Sequence, residues 1–363
     1  EFPLRLVGSE MCIRDSISPA KITRLAGYGS ANYKVEDLTG QTYLVKHHMD
    51  PESFKRIEAE NKIMAHLSAQ LPIEVSSPSY DKLITYPDGS FSRMLCFING
   101  IFLKDVEATP ELSFNFGKII ALSHQSLGSY KTVEIEAYDH KWNLMNCLDS
   151  VEDMDLISDP SQRKIVNYFL EQYKQVCADP LRKLPKQIIH NDLNDWNVLV
   201  SDNEIKGIID FGDLCYAPKI CDLAIAMAYL LLDTPTPLIR AVDLIEGYLS
   251  IQKLDEKEIE LLYYLIPARL CVSVISSNKE RSQGNTEDYI FVTENKAWAL
   301  LSKWFEMNPI LFRNSLMKPL GFQQLNSVPT LISKRKKHLS SALSLSFDDP
   351  IPVSYTHLRA HET

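Results

Sequence analysis

The residues best suited to chemistry lie in the stretch 188–213, IIHNDLNDWNVLVSDNEIKGIIDFGD. His190-Asn191-Asp192 opens a short polar turn, Asn197 follows five positions after Asp192, and Asp210-Phe211-Gly212 begins thirteen positions after Asn197. A carboxylate, an amide and a second carboxylate in this order suit phosphoryl transfer, where the protein mainly positions reactants and neutralises charge. Asp192 is the candidate to receive or orient the proton of an attacking hydroxyl. Asn197 and Asp210 offer the hard oxygen ligands that Mg2+ prefers. The apolar runs 198–200 and 205–209 read as neighbouring strands that would carry both ligands to one sheet edge. His190 ends an apolar strand, which favours a scaffold role over acid–base work. Asp213 could assist a metal or cap its own turn. Asp222 suits a helix N-cap, with an anchor for the catalytic-loop backbone as the alternative.

Such a centre needs elements that hold a nucleotide, and the first hundred residues read as strands around one helix. Strand-like runs at 21–25, 33–36 and 43–46 flank the small-residue turn Ala26-Gly27-Tyr28-Gly29-Ser30. Glycines there would let backbone N–H groups approach phosphates, although a plain hairpin turn fits equally. Lys46 closes the third strand and could reach the phosphates. Residues 54–70 carry apolar side chains at helical spacing. Glu58 or Glu60 on that helix could pair with Lys46, and the register favours Glu60. Runs at 83–86 and 91–98 read as a hairpin about Pro87-Asp88-Gly89. Residues 96–98, with Cys96 and Ile98, would hold the nucleotide base, and Asn99-Gly100 marks a hinge. The expected division is therefore a nucleotide-binding lobe over 17–99 and a catalytic, substrate-binding lobe over 100–322. The second lobe reads as helical at 112–127, 161–177, 222–232, 238–251, 256–276 and 293–305.

Composition sets the remaining bounds. A formal net charge of -9 argues against a nucleic-acid partner, because phosphate backbones need a basic face. Seven cysteines stand as scattered singles, which predicts reduced thiols in a cytoplasmic protein and no zinc site. The apolar run 222–232 is too short to span a bilayer, and 261–275 is interrupted by Pro267 and Arg269, so both read as core helices. Residues 323–352, with the basic run Lys334-Arg335-Lys336-Lys337, read as a linker. The ends, 1–16 and 353–363, resemble translated sequencing-adaptor or vector read-through and are set apart from the fold.

With these residues in view, the chain resembles the aminoglycoside phosphotransferase and choline kinase superfamily. The likeness spans about 23–304 and is most specific in H-N-D-L-N-D-W-N and I-D-F-G-D. It implies an α+β, bilobal fold related to protein kinases: a small lobe with a five-stranded antiparallel sheet plus one helix, and a larger, mainly helical lobe. It also implies Asp192 as catalytic aspartate, Asn197 and Asp210 as Mg2+ ligands, Lys46 on the phosphates of ATP or GTP, and Glu60 as its partner. Only nine residues separate Gly212 from Asp222, too few for a peptide-docking activation segment. Within the superfamily, the segments Trp142-Asn143-Leu144 and 268–274 are similar to the hydroxylysine kinase branch, which implies an amino-alcohol or hydroxy-amino-acid acceptor. Asp195 and Trp196 are candidate substrate contacts because they project from the catalytic loop. Arg269 could grip a substrate carboxylate or pair internally. Residues 335–352 resemble the junction of fusion proteins that join such a kinase to a class III aminotransferase. A non-catalytic nucleotide-binding module attached to a pyridoxal-phosphate enzyme is the competing reading.

Overall fold

The computed structural model describes residues 19–25, 30–138, 140–284, 288–317 and 321. Gly27 and Gly29 of the expected phosphate loop lie outside the described residues. So do the adaptor-like ends, the linker and the aminotransferase-like junction.

Alternating apolar residues build the first three strands, β1 (Pro19–Leu25), β2 (Ala31–Asp37) and β3 (Thr42–His48). After helix α1 (Phe54–Gln70) come β4 (Glu74–Val75), β5 (Ile84–Thr85) and β6 (Phe91–Cys96). The small lobe is a five-stranded antiparallel sheet in the order β1-β2-β3-β6-β5, as expected. The β5–β6 turn is tied by Asp88, whose carboxylate accepts from the Ser90 N–H and hydroxyl at 3.0 and 2.6 Å. Strand β6 is shorter than expected, ending at Cys96 where the chain leaves the sheet. One face of α1 buries Ile57, Ile63, Met64 and Leu67. Part of that face joins the large core of the second lobe, while Tyr33, Val35 and Val45 form a small separate cluster in the sheet.

Beyond Gly100, β7 (Ile101–Phe102) pairs with β9 (Val198–Ser201), which pairs antiparallel with β10 (Glu204–Ile208). A second ribbon joins β8 (Lys186–Ile189) to β11 (Cys215–Pro218). The α-helices of more than six residues are α2 (Pro110–Leu127), α3 (Pro160–Val176), α4 (Lys219–Leu230), α5 (Pro237–Leu249), α6 (Glu256–Ser282), α7 (Asp288–Glu306) and α8 (Pro309–Met317). Thr109 and Asp159 cap α2 and α3, each with proline in the first turn, which explains why both start earlier than apolar spacing alone predicts. Helix α8 and the 3-10 stretch Leu144–Leu156 lack a clean apolar period and were not expected.

Helix α6 is long and apolar enough to cross a membrane, yet 78% of that apolar window is buried as the core helix of the lobe. Its Pro267 has no N–H to give to the carbonyl of Tyr263 one turn earlier. Trp304 of α7 supplies the missing donor, its Nε1 lying 2.9 Å from that carbonyl oxygen. The proline therefore ties α6 to α7 instead of breaking it.

Helices α2 and α5 touch backbone to backbone. A Cβ on Gly117 would lie 1.9 Å from the Leu244 carbonyl oxygen, and one on Gly247 would lie 1.9 Å from that of Phe114. Neither neighbour is a flexible side-chain end, so Gly247→Ala is expected to cost about 3 kcal/mol or more, read as a lowered Tm. His48 gives a second test. It is buried, stacked on Phe91 at 5.1 Å, and its Nε2 has no hydrogen-bond partner. Burial, with Arg93 and Lys46 adding, pushes its pKa down to about 3. The unfolded chain takes up this proton first, so the stability is complete above the unfolded pKa of about 6.5 and is lost as pH falls towards 3. Against His48→Phe, which cannot titrate, the wild type should lose about 1.4 kcal/mol per pH unit below 6.5 in denaturant unfolding.

Candidate active site

Two strand pairings deliver the expected residues to one place. In the β9–β10 pair Val198 stands opposite Ile208, and the Asn197 carbonyl accepts the Ile209 N–H at 3.0 Å. Asp210 is the next residue, so it stands beside Asn197. In the β8–β11 pair Ile189 stands opposite Cys215, which brings the 190–192 turn against the end of the 210–213 turn. Both turns use left-handed backbone, Asn191 at φ 65° and Asp210 at φ 58°. Asn and Asp tolerate this conformation better than other side chains, which accounts for their presence there.

The catalytic loop hangs on Asp222. This buried carboxylate accepts the Asn191 N–H at 2.7 Å and the His190 N–H at 3.0 Å, and His124 Nε2 lies 3.1 Å from it. Tyr248 braces the other ring nitrogen of His124 at 2.9 Å. Asp222 is thus the anchor of the loop and not the N-cap of α4, whose capping position is Pro218. His190 works within the same scaffold. Its Nδ1 accepts the Asp192 N–H at 3.2 Å, which leaves the ring proton on Nε2, 3.1 Å from the Ile209 carbonyl. Burial holds His190 below the usual imidazole range, in keeping with a neutral ring.

Asp192 receives three donors. Arg269 Nη2 reaches Oδ1 at 2.6 Å, while the amides of Asn194 and Asn197 reach Oδ2 at 2.9 and 2.7 Å. A carboxylate has about four acceptor positions. One is therefore left on the Oδ1 side for an incoming hydroxyl. Burial pushes the Asp192 carboxyl well above its ordinary range, and Arg269 pulls in the opposite direction. Of the two roles open to Arg269, internal pairing is the one found. Its guanidinium also lies 5.2 Å from the Trp142 ring and 5.5 Å from that of Tyr229.

The nucleotide side departs from expectation at one ion pair. Lys46 Nζ lies 2.7 Å from Asp210 Oδ1, not against Glu60. Glu60 is fully buried and held by Arg93 at 2.9 Å and Arg56 at 3.4 Å. Arg93 stands directly opposite Lys46 across β3 and β6, so the two cations share a face and Arg93 takes the glutamate. Lys46 in turn holds the Asp210 carboxyl down to about 2, fully ionised at neutral pH. Arg56 adds a link that spacing did not reveal. It donates to the Gly212 carbonyl at 2.9 Å and so ties α1 to the Asp210 turn. His140 Nε2 lies 2.9 Å from one oxygen of Asp213, the carboxylate that could assist a metal or cap its own turn.

The other candidates separate. Ser30 donates to Asn32 at 2.8 Å, beside the undescribed glycines. The Cys96 N–H donates to the Ser77 carbonyl at 2.8 Å, while the Cys96 carbonyl accepts the Ser76 hydroxyl at 3.0 Å and keeps a second acceptor position. Ile98 is buried near Gly207 of β10. Trp196 packs on Phe102 at 5.7 Å with Lys104 4.2 Å over its ring, on the hinge side of the loop. Asp195 instead lines a cavity of 210 Å³ between 103–108 and the 229–236 segment. Burial pushes its carboxyl up to about 6.

Arg93 and His124 were detectable in principle, as single polar residues on otherwise apolar faces at 91–95 and at 116, 120, 124 and 127. Their partners were not. Removing Asp222 strands two buried N–H donors, so Asp222→Ala is expected to cost about 3–5 kcal/mol by denaturant unfolding. The softer Asp222→Asn should lower kcat more than it weakens nucleotide affinity, measured by steady-state kinetics beside nucleotide titration.

Comparison with known proteins agrees with this geometry. The model of the Phosphotransferase enzyme family matches residues 21–257. Hydroxylysine kinase of Danio rerio is 27% identical over 315 residues, covering 80% of this chain and 88% of that one. Among solved structures, the amicoumacin kinase hAmiN in complex with AMP-PNP, Ca2+ and Ami aligns with a TM-score of 0.64 at 16% identity, over 84% of this chain and 94% of that one. The microcompartment-associated aminopropanol kinase aligns with a TM-score of 0.56 at 17% identity, over 84% and 98%. The small five-stranded lobe, the helical lobe and the motif-bearing turns between them are those of this fold, and the chain belongs to the phosphotransferase enzyme family, as an enzyme that transfers phosphate to a hydroxyl acceptor.

Proposed function

We propose that this enzyme is a small-molecule kinase that moves the γ-phosphate of ATP or GTP, with Mg2+, to a hydroxyl of an amino alcohol or hydroxy-amino acid of the hydroxylysine type. The observation that carries the reading is the convergence of Lys46, of Asp192 and Asn197 on one loop, and of Asp210, three separate stretches, onto one edge. Substrate class is supported by the relatives named for hydroxylysine and aminopropanol. It is supported too by the 210 Å³ cavity, which suits an acceptor of amino-acid size better than a multi-ring antibiotic. The domain division at the hinge belongs to the same proposal, with nucleotide above and acceptor below.

The residues suit Mg2+. Asp210 is ionised, its side chain half exposed with one oxygen on Lys46, and Asn197 adds an amide oxygen, so both donors are hard. Bound there, the ion would neutralise phosphate charge and orient the γ-phosphoryl group. Lys46 would exchange its contact with Asp210 for the phosphates. Asp192, its orientation fixed by Arg269, Asn194 and Asn197, would accept the acceptor hydroxyl and take its proton as the new oxygen–phosphorus bond forms and the bond from the γ-phosphorus to the β,γ-bridging oxygen breaks, releasing the nucleoside diphosphate. Retention of all these groups in bonded positions speaks against the non-catalytic module. Among the described residues the six cysteines are free and five are buried, with burial pushing several thiols up, which supports a reducing, cytoplasmic setting.

Turnover is tested by nucleoside diphosphate release over hydroxylysine, homoserine, ethanolamine, choline and aminoglycosides. Small amines are expected to be accepted and aminoglycosides refused. Asp192→Asn should lower kcat by about 10²–10⁴ with nucleotide affinity kept. Absence of Mg2+-dependent release with every acceptor would sink the proposal.

A further inference from the structure

The cavity beside the catalytic loop carries an electrostatic imbalance that phosphate transfer by itself does not use. Three cations stand on its wall, Lys104, Arg240 and Lys296. Each already has an acid: Lys104 pairs with Asp105 at 2.6 Å, Lys296 with Asp233 at 2.7 Å, and Arg240 with Asp243. Asp195 has none. It is 5% exposed, and among the described residues it makes no ion pair and its buried Oδ1 has no hydrogen-bond partner. Its main-chain carbonyl accepts the Lys104 N–H at 3.1 Å, which holds the residue against the cavity wall. A buried carboxylate oxygen with no donor is costly, and an asparagine or an apolar residue would fill the space more cheaply. A donor arriving with a ligand would satisfy that oxygen, and a cationic donor would match its charge.

We infer that Asp195 is the subsite for an ammonium group of the acceptor, received in this cavity while the acceptor hydroxyl meets Asp192. The inference rests on the kinase reading and sharpens it. Asp195 lies three positions after Asp192 on one anchored loop, and Tyr229, which lines the cavity, lies 5.5 Å from the guanidinium of Arg269, the partner of Asp192. Recognition of the acceptor by its amine sets a rule: an acceptor with a free amine near its hydroxyl enters, and the same acceptor with the amine acylated does not.

The test uses the full chain with 5-hydroxylysine as acceptor, its amine-acetylated form, and lysine as a probe that keeps the amines but lacks the hydroxyl. Wild type should bind lysine by calorimetry, competitively with 5-hydroxylysine, and should use the acetylated acceptor poorly. Asp195→Asn should raise KM for 5-hydroxylysine and weaken lysine binding by about 10- to 100-fold, with a smaller effect on kcat. Asp195→Glu should restore part of the affinity, which a merely structural role would not produce. Thermal unfolding and nucleotide titration of each variant report whether it is folded. If the variant does not fold, the wild-type discrimination between free and acetylated amine decides. The inference is overturned if Asp195→Asn leaves both amine affinities within about twofold, if the acetylated acceptor serves as well as the free amine, or if wild type binds none of the amines. Lysine binding that depends on Asp195 without any phosphate transfer would uphold the subsite and refute the kinase reading. Transfer that ignores Asp195 would do the reverse.

Discussion

Everything at this centre depends on one buried carboxylate holding two consecutive main-chain N–H groups. Asp222 accepts from His190 and Asn191 at 3.0 and 2.7 Å, and His124 and Tyr248 hold Asp222 in place. The 190–192 turn includes a left-handed residue, and without an external acceptor its amides would be stranded in the core. A charge-assisted acceptor supplied by α4 makes the turn rigid, and it fixes the start of the loop on which Asp192, Asp195 and Asn197 are carried. Helix α4 is buried nearly all round, so the anchor is set on one of the least mobile parts of the lobe.

From that anchor two ribbons share the work. The β9–β10 pair sets the distance between Asn197 and Asp210, and the β8–β11 pair closes the loop against the 210–213 turn. Charges are then distributed by burial. Lys46 keeps Asp210 ionised at a half-exposed edge where phosphate and metal would arrive. Arg269 partly offsets the burial of Asp192, which favours the neutral acid over a carboxylate able to accept a proton. Glu60 and Arg93 form a separate buried pair behind them, so the lysine is not tied to α1 and Arg56 instead links that helix to the Asp210 turn. Two ion pairs and one carboxylate anchor thus separate the phosphate side from the acceptor side of one short loop.

Much of this was legible in the chain. Helix α1 has the expected bounds, Phe54–Gln70, because its apolar residues recur at an unbroken helical period. The 198–200 and 205–209 strands were readable because a short polar turn separates two apolar runs. Boundaries moved where caps and not periodicity decide them, as at Thr109 and Asp159. The Lys46 partner was misassigned because the glutamate does face inward, but which cation meets it depends on the β3–β6 register that sets Arg93 opposite Lys46. Arg269 could be singled out by its place in α6, though not its role, because a lone arginine among apolar residues can face a ligand or a buried acid.

The sequence by itself determined the reaction type. Its donors are carried by a local motif whose order and spacing place a hydroxyl acceptor group before two oxygen ligands, and short strands leave those residues few other positions. Tertiary structure decided which of them are paired, ionised or left open. Lys46 and Asp210 stand 164 positions apart, Asp192 and Arg269 77 apart, and Asn191 and Asp222 31 apart. Each of those partnerships depends on strand register and helix packing, which place distant groups within hydrogen-bond reach. The unpartnered oxygen of Asp195 is legible only from the folded chain, since the lack of a neighbour has no signature in spacing.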